Sequence, residues 1–168
     1  MNLYELMKLR RSTRHFHSKK IPEDVLQRVL KAGQYAPSGA NQHPYVYIVV
    51  TDPLLKEDVK KHCEKIDKRF YENSESWFKD WMKKKNISLE KEFLVGTPAL
   101  IIVAGETDKP YWLESAWISI TYVVLAAEYE GLGTLTYTPA ETDFLHDLLD
   151  IPGALEPVVI MPIGYAKR

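Results

Sequence analysis

The stretch from Tyr111 to Glu130 constrains the fold more than any other part of the chain. It reads as one long helix closed by Gly131, and it is apolar on more than one side. A helix that is apolar nearly all round must be buried nearly all round. A small domain supplies that cover with difficulty. Either the helix runs through the centre of a core, or a second subunit lies against it. Its most apolar part, Ala116 to Ala127, is interrupted by Ser119 and Thr121. It is also shorter than the roughly 20 mostly apolar residues that span a bilayer.

Around this helix the patterning alternates between helices and short strands. Leu3, Leu6 and Met7 mark one face of a short helix ending near Arg10. Pro22, Glu23 and Asp24 open a second helix, which stops before Pro37. Tyr45 to Val50 predicts a strand, and Asp52-Pro53 an N-cap and first turn of a helix to about Ile66. The charged segment from Lys68 to Leu94 predicts two short helices. Further strands are expected at 99–103, 135–138 and 157–165, with a helix over 141–149. Helices between short strands imply α/β layering around one sheet.

The 168 residues suit one compact domain, and the formal net charge of -1 gives no bulk attraction to nucleic acid or to an anionic membrane. Cys63 stands alone, so there is no disulfide framework and no CxxC pair. The N-terminal residues lack the uninterrupted apolar segment of a signal peptide, and a cytoplasmic protein is expected. No HExxH or CxxC accompanies His15, His17 or His62, so no metal site is expected.

Three segments can carry chemistry. Arg10-Arg11-Ser12-Thr13-Arg14 gathers three guanidiniums and two hydroxyls, the donors that match phosphate oxygens. Taken alone, such a cluster is more often a solvated basic turn. Ala36-Pro37-Ser38-Gly39-Ala40-Asn41-Gln42-His43 joins a helix to a strand with small, polar, turn-forming residues, as an ordinary loop also would. Gly131-Leu132-Gly133-Thr134 leads into Leu135-Thr136-Tyr137-Thr138-Pro139. Its GxG follows a helix, the reverse of the dinucleotide fingerprint, so a Rossmann site is rejected. No P-loop and no GxSxG elbow exists either.

In combination these segments resemble the nitroreductase family of FMN-dependent enzymes, in order and spacing across essentially the whole chain. Arg10 to Arg14 resembles the family's N-terminal phosphate motif, and Ala36 to Asn41 its helix-to-strand loop. Gly131 to Thr134 closes the long helix as in that family, and Ile163-Gly164-Tyr165 resembles its terminal strand. The resemblance implies an α+β nitroreductase-like fold over residues 1–168, with a central mixed sheet flanked by helices. It also implies a homodimer with FMN at the subunit interface. Arg10, Arg11 and Ser12 would hold the phosphate and ribityl end, with Arg14 nearer the flavin's pyrimidine edge. Pro37, Ser38 and Asn41 would come from the partner subunit, and Thr136, Tyr137 and Thr138 would lie along the isoalloxazine. The implied chemistry belongs to FMN, with no catalytic side chain, NADH or NADPH as donor, and a flat nitroaromatic or quinone as acceptor. The same scaffold supports reductive dehalogenation or flavin breakdown, and a non-enzymatic FMN or phosphate-ligand protein is a further alternative.

Two positions depart from the family pattern: His43 stands where Gln is usual, and Tyr45 where Trp is usual. Lys167 and Arg168 end the chain where many relatives continue with a basic segment, so Arg168 is a candidate phosphate ligand. The aromatic segment Phe70 to Trp81 falls where relatives cover the flavin. Tyr71, Trp77, Phe78 and Trp81 are its candidate substrate contacts, local packing of two helices being the other reading.

Overall fold

The computed structural model describes residues 2–167. At its centre lies the strand β2 (Ala99–Glu106), buried along almost its whole length. Such a run must be covered on both faces, and the alternation of side chains divides its neighbours cleanly. Ala99, Ile101 and Val103 face one core, together with Val159, Met161 and Ile163. Leu100, Ile102 and Ile160 face the other.

β2 is flanked by β1 (Tyr45–Val50) and β4 (Leu155–Gly164), and the short β3 (Gly133–Thr134) lies outside β4. All pairings among these four strands are antiparallel. The mixed sheet expected from sequence is therefore corrected: the parallel element is an isolated bridge between Ser12 and Thr134.

The first core is closed by α2 (Glu23–Gln34) and α5 (Trp112–Tyr129), through Leu26, Val29, Ala116, Ile120, Val123 and Ala127. The second is closed by α3 (Pro53–Asn73) and α6 (Phe144–Leu149), through Val59, Cys63 and Leu145. α1 (Leu3–Leu9) is capped by Asn2 and Glu5 and packs on α5, and α4 (Ser76–Lys84) follows α3. Asp52 caps α3 through bonds from Leu54 and Leu55, with Pro53 in the first turn, as its sequence predicts.

Two expected boundaries move for physical reasons. α3 continues past Ile66 to Asn73, because Lys68, Arg69 and Glu72 favour helix although all three are exposed. The expected strand at 135–138 is reduced to two contacts with β4. The Leu135 amide donates to the Pro162 carbonyl, and Tyr137 and Ile160 exchange both of their bonds. Pro162 has no N–H to return to Leu135, so the ladder is cut between them.

The N-terminal segment runs along the corner of the sheet where β3 meets the end of β4. The Thr13 amide donates to the Thr134 carbonyl at 2.9 Å, the His17 amide to Tyr165, and the Lys167 amide to His15. Gly133 makes this approach possible, since a Cβ there would collide with the Thr13 side chain. Just before it, Gly131 takes φ +77° where the chain leaves α5, a conformation that costs glycine least.

Gly133→Ala is expected to destabilise the fold by about 1–3 kcal/mol through this overpacking, with part of the loss recovered in Gly133→Ala/Thr13→Gly. Urea denaturation of both variants checks it, and an unchanged midpoint in the single variant would refute the close approach.

Candidate functional site

The pinning of residues 12–17 to the sheet brings the first and third sequence segments together. Arg14 and His15 line a cavity of ≈ 760 Å³ together with Leu135, Thr136, Tyr137 and Thr138. On one side Thr136 also borders a smaller hollow of ≈ 370 Å³ that holds Arg10 against Thr121, Val124 and Leu125 of α5. On the other, Thr138 and Lys91 are shared with an aromatic cleft of ≈ 330 Å³. The three spaces form one belt running from the arginines to the α3–α4 region.

Arg10 shows a specific deficit. Its Nε is buried and has no hydrogen-bond partner. A buried guanidinium nitrogen left without an acceptor is costly, and native proteins rarely keep one unless something completes it. Arg11, by contrast, is exposed and donates to the carbonyls of Lys8 and Arg10. Ser12 bridges to Thr134 through its backbone.

The aromatic cleft is built by the i, i+3, i+4 face of α4, which turns Phe78, Trp81 and Met82 toward Phe70 and Tyr71 of α3. Phe78 stacks on Trp81 with centroids 5.8 Å apart and meets Phe70 edge-on at 5.6 Å. Trp77 meets Phe78 edge-on at 5.8 Å from outside and does not line the cleft. One position off that face, it is 65% exposed and its Nε1 donates to Glu75.

At the floor of the cleft lies an ion pair that sequence analysis did not single out. Lys91 Nζ is 3.0 Å from Asp67 Oδ2, with both side chains largely withdrawn from solvent. The Tyr137 hydroxyl donates to the same Oδ2 at 2.9 Å. Lys91 Nζ also lies 5.6 Å from the Tyr137 ring centroid, and the Lys91 backbone amide donates to Glu64. Burial pushes the Tyr137 phenol well above its ordinary value, so the hydroxyl remains a donor. The buried Cys63 thiol is likewise pushed up to about 12, which makes it an inert core group. Asp67 and Tyr71 stand four apart on one face of α3, and that spacing was the available signal. Lys91 reaches them only through the tertiary fold.

The second segment is ordered but remote. Residues 39–41 form a single 3-10 turn. Ala40, Asn41 and His43 all have φ near +50°, a strained conformation for residues with side chains. Ser38 Oγ accepts from the His43 amide, His43 Nε2 lies 3.0 Å from Asn41 Oδ1, and His43 Nδ1 lies 3.1 Å from Tyr45 Oη. The two departures at His43 and Tyr45 thus engage each other. The Gly39 amide donates to Ser115 Oγ, which ties the loop to the start of α5. The hollow that holds Arg10 lies further along that helix, from Trp117 to Leu125. Within one chain, Pro37, Ser38 and Asn41 line none of the three spaces of the belt.

One face of α5 carries Leu113, Trp117, Ile118 and Tyr122, each 38–41% exposed, and beside it α1 exposes Leu3, Tyr4 and Met7. No helix among the described residues is long and apolar enough to cross a membrane. Among the described residues no group of His, Cys, Asp and Glu is arranged to hold a metal ion.

The sequence model of the nitroreductase family matches residues 7–165. The chain belongs to the nitroreductase family. Within and around that family, an iodotyrosine deiodinase from Thermotoga neapolitana is 38% identical over 97% of this chain and 88% of its own length. Another from Haliscomenobacter hydrossis is 31% identical over 96% and 78%. A crystal structure of oxidized iodotyrosine deiodinase bound to FMN and 3-iodo-L-tyrosine superposes with a TM-score of 0.95. The two are 37% identical, over 99% of this chain and 90% of that one. A nitroreductase family protein from Clostridium novyi NT is more distant, at 26% identity and a TM-score of 0.78 over 99% and 86%.

For a nitroreductase-family chain, the sequence-expected residues thus fall in three groups. Arg10, Arg14, Thr136, Tyr137 and Thr138 line the belt, as do Tyr71, Phe78 and Trp81 at its far end. Pro37, Ser38 and Asn41 sit apart, and Arg11 and Trp77 face solvent. Arg168 lies outside the described residues. Tyr137 lines the cavity, but its hydroxyl is engaged by Asp67.

Asp67→Ala leaves Lys91 as an uncompensated buried cation and is expected to cost about 3–5 kcal/mol, with a clearly smaller loss in Asp67→Ala/Lys91→Met. Urea denaturation of the two variants decides it: a double-variant loss as large as the single-variant loss would show the pair to be uncoupled.

Proposed function

We propose that this chain is an FMN-dependent reductive dehalogenase of the iodotyrosine deiodinase type, acting as a homodimer on a halogenated phenolic amino acid. The observation that carries the substrate class is the Asp67–Lys91 pair beside the aromatic wall. A zwitterionic amino acid presents one ammonium and one carboxylate, and the pair offers a counter-ion to each. The rings of Tyr71, Phe78 and Trp81 then accept a flat phenol. Nitroaromatics and quinones carry no such head group. A buried ion pair is an expensive fixture for a site that binds only flat neutral acceptors. The deiodinase bound to FMN and 3-iodo-L-tyrosine, at a TM-score of 0.95, supports the same reading over NAD(P)H-driven reduction of nitroaromatics.

The cofactor fits what the belt provides. Arg10 Nε needs an acceptor, and a phosphate supplies one. Arg14 brings positive charge beside Thr136 and Thr138, where a reduced, anionic flavin ring gains from it. Bound there, FMN would supply the two electrons that, with one proton, convert the aryl–halogen bond to carbon–hydrogen and free halide. The side chains of this protein hold the amino-acid head at Asp67 and Lys91, stack the ring and exclude water.

The missing part of the site motivates the dimer. In one chain the strained loop at 38–41 is anchored at Ser115, away from Arg10, while the α5 face between them is apolar and exposed. A two-fold axis across α5 covers Leu113, Trp117, Ile118 and Tyr122 and carries the partner's loop toward the arginines.

Purified protein is expected to be yellow and, reduced by dithionite, to release iodide from 3-iodo-L-tyrosine; Arg10→Ala should weaken FMN binding by about one to two orders of magnitude, the scale of a lost charge-assisted contact. Absence of iodide release, together with fast flavin bleaching by NADH or NADPH and turnover of nitroaromatics, would return the flat-acceptor reading. In sedimentation analysis Trp117→Glu is expected to shift the protein to monomer with weakened FMN binding, and a monomer retaining full FMN affinity would contradict an interface site.

A further inference from the structure

We infer that Tyr137 is a positioning residue for amino-acid recognition: it holds the Asp67 carboxylate in place when an incoming ligand draws Lys91 away. This rests on the proposed halo-amino-acid substrate.

The two oxygens of Asp67 are not equally occupied. Lys91 Nζ and the Tyr137 hydroxyl both converge on Oδ2 of Asp67, at 3.0 and 2.9 Å. Among the described residues Oδ1 accepts no hydrogen bond, and Asp67 lines the cleft. One oxygen is held from behind, and the other is left to a ligand.

Binding of a zwitterion changes the balance at Asp67. The ligand carboxylate competes for Lys91, and the carboxylate of Asp67 loses its cation as it takes on the ammonium. The Tyr137 hydroxyl carries no charge and gains nothing from the ligand carboxylate, so it stays with Asp67 throughout the exchange.

Tyr137 is well placed to stay where it is. Its amide and carbonyl are bonded to Ile160 at 3.1 and 2.9 Å, which ties it to the margin of the sheet. Phe93 holds its ring edge-on at 5.4 Å. Between Thr136 and Thr138, it links the backbone beside the large cavity to the acid in the cleft.

Tyr137→Phe keeps the ring, the Phe93 contact and the backbone bonds while removing one hydroxyl. The test compares 3-iodo-L-tyrosine with 2-iodophenol, which lacks the amino-acid head, on the FMN-loaded protein. The ratio of their kcat/KM values is expected to fall about tenfold in Tyr137→Phe, mainly through KM for the amino acid. In the Asp67→Asn background the same change should leave the ratio where Asp67→Asn alone puts it. Binding of 3-iodo-L-tyrosine to the oxidised protein, followed by flavin fluorescence, gives the same comparison without turnover. If the wild type binds the amino acid but releases no iodide, the proposed reaction fails while this inference is still tested. An unchanged ratio and unchanged binding in Tyr137→Phe overturn it, as does an equal effect of Tyr137→Phe with and without the Asp67 carboxylate.

Discussion

The structure depends on covering both faces of β2. Ala99 to Ala104 are buried without exception, and their side chains alternate between two separate cores. This obliges the chain to lay α2 and α5 on one face and α3 and α6 on the other. The belt of cavities lies where these layers end, on the β3 side of the sheet. The residues that line it are drawn from the N-terminal segment, the end of α3, α4 and the connection after it, α5, and the segment beyond β3. These stretches are scattered along the chain, and the layers around the sheet bring them together.

Much of this was legible in the residues. Asp52-Pro53, Tyr45 to Val50 and the Gly131 exit from α5 carry local signals that the fold obeys, because capping, β-branching and positive φ are decided within a few residues. The meeting of Arg14 with Thr136 was readable only through the order of motifs that resembles a family. The Asp67–Lys91 pair was not readable. Asp67 sits in a helix dense with charge and Lys91 in an irregular connection, and beyond the four-residue spacing of Asp67 and Tyr71 nothing local distinguishes them from solvated neighbours. The inward turn of Phe78 and Trp81, with Trp77 left outside, is decided by the phase of α4, and phase depends on where that helix begins.

The apolar helix that first constrained the chain now has a divided account. Ala116, Ile120, Val123 and Ala127 meet the demand for burial within one protomer. The opposite stripe, from Leu113 to Tyr122, does not. The central-core reading therefore describes one side of the helix. On the other side the stripe leaves apolar surface in water, which is what the proposed second copy would cover.

Pro162 interrupts the ladder opposite Leu135 and so lets residues 135–138 drift from the sheet toward the cavity. The same absent donor has another effect. Beyond the two residues of β3, Leu135 and Tyr137 still occupy the outer margin of β4, so no open edge is offered there to a strand from a foreign chain. With one rung missing, the segment that carries Thr136 is held to β4 by three backbone bonds in place of four. A single imino acid thus leaves the wall of the cavity more loosely fastened than the sheet behind it.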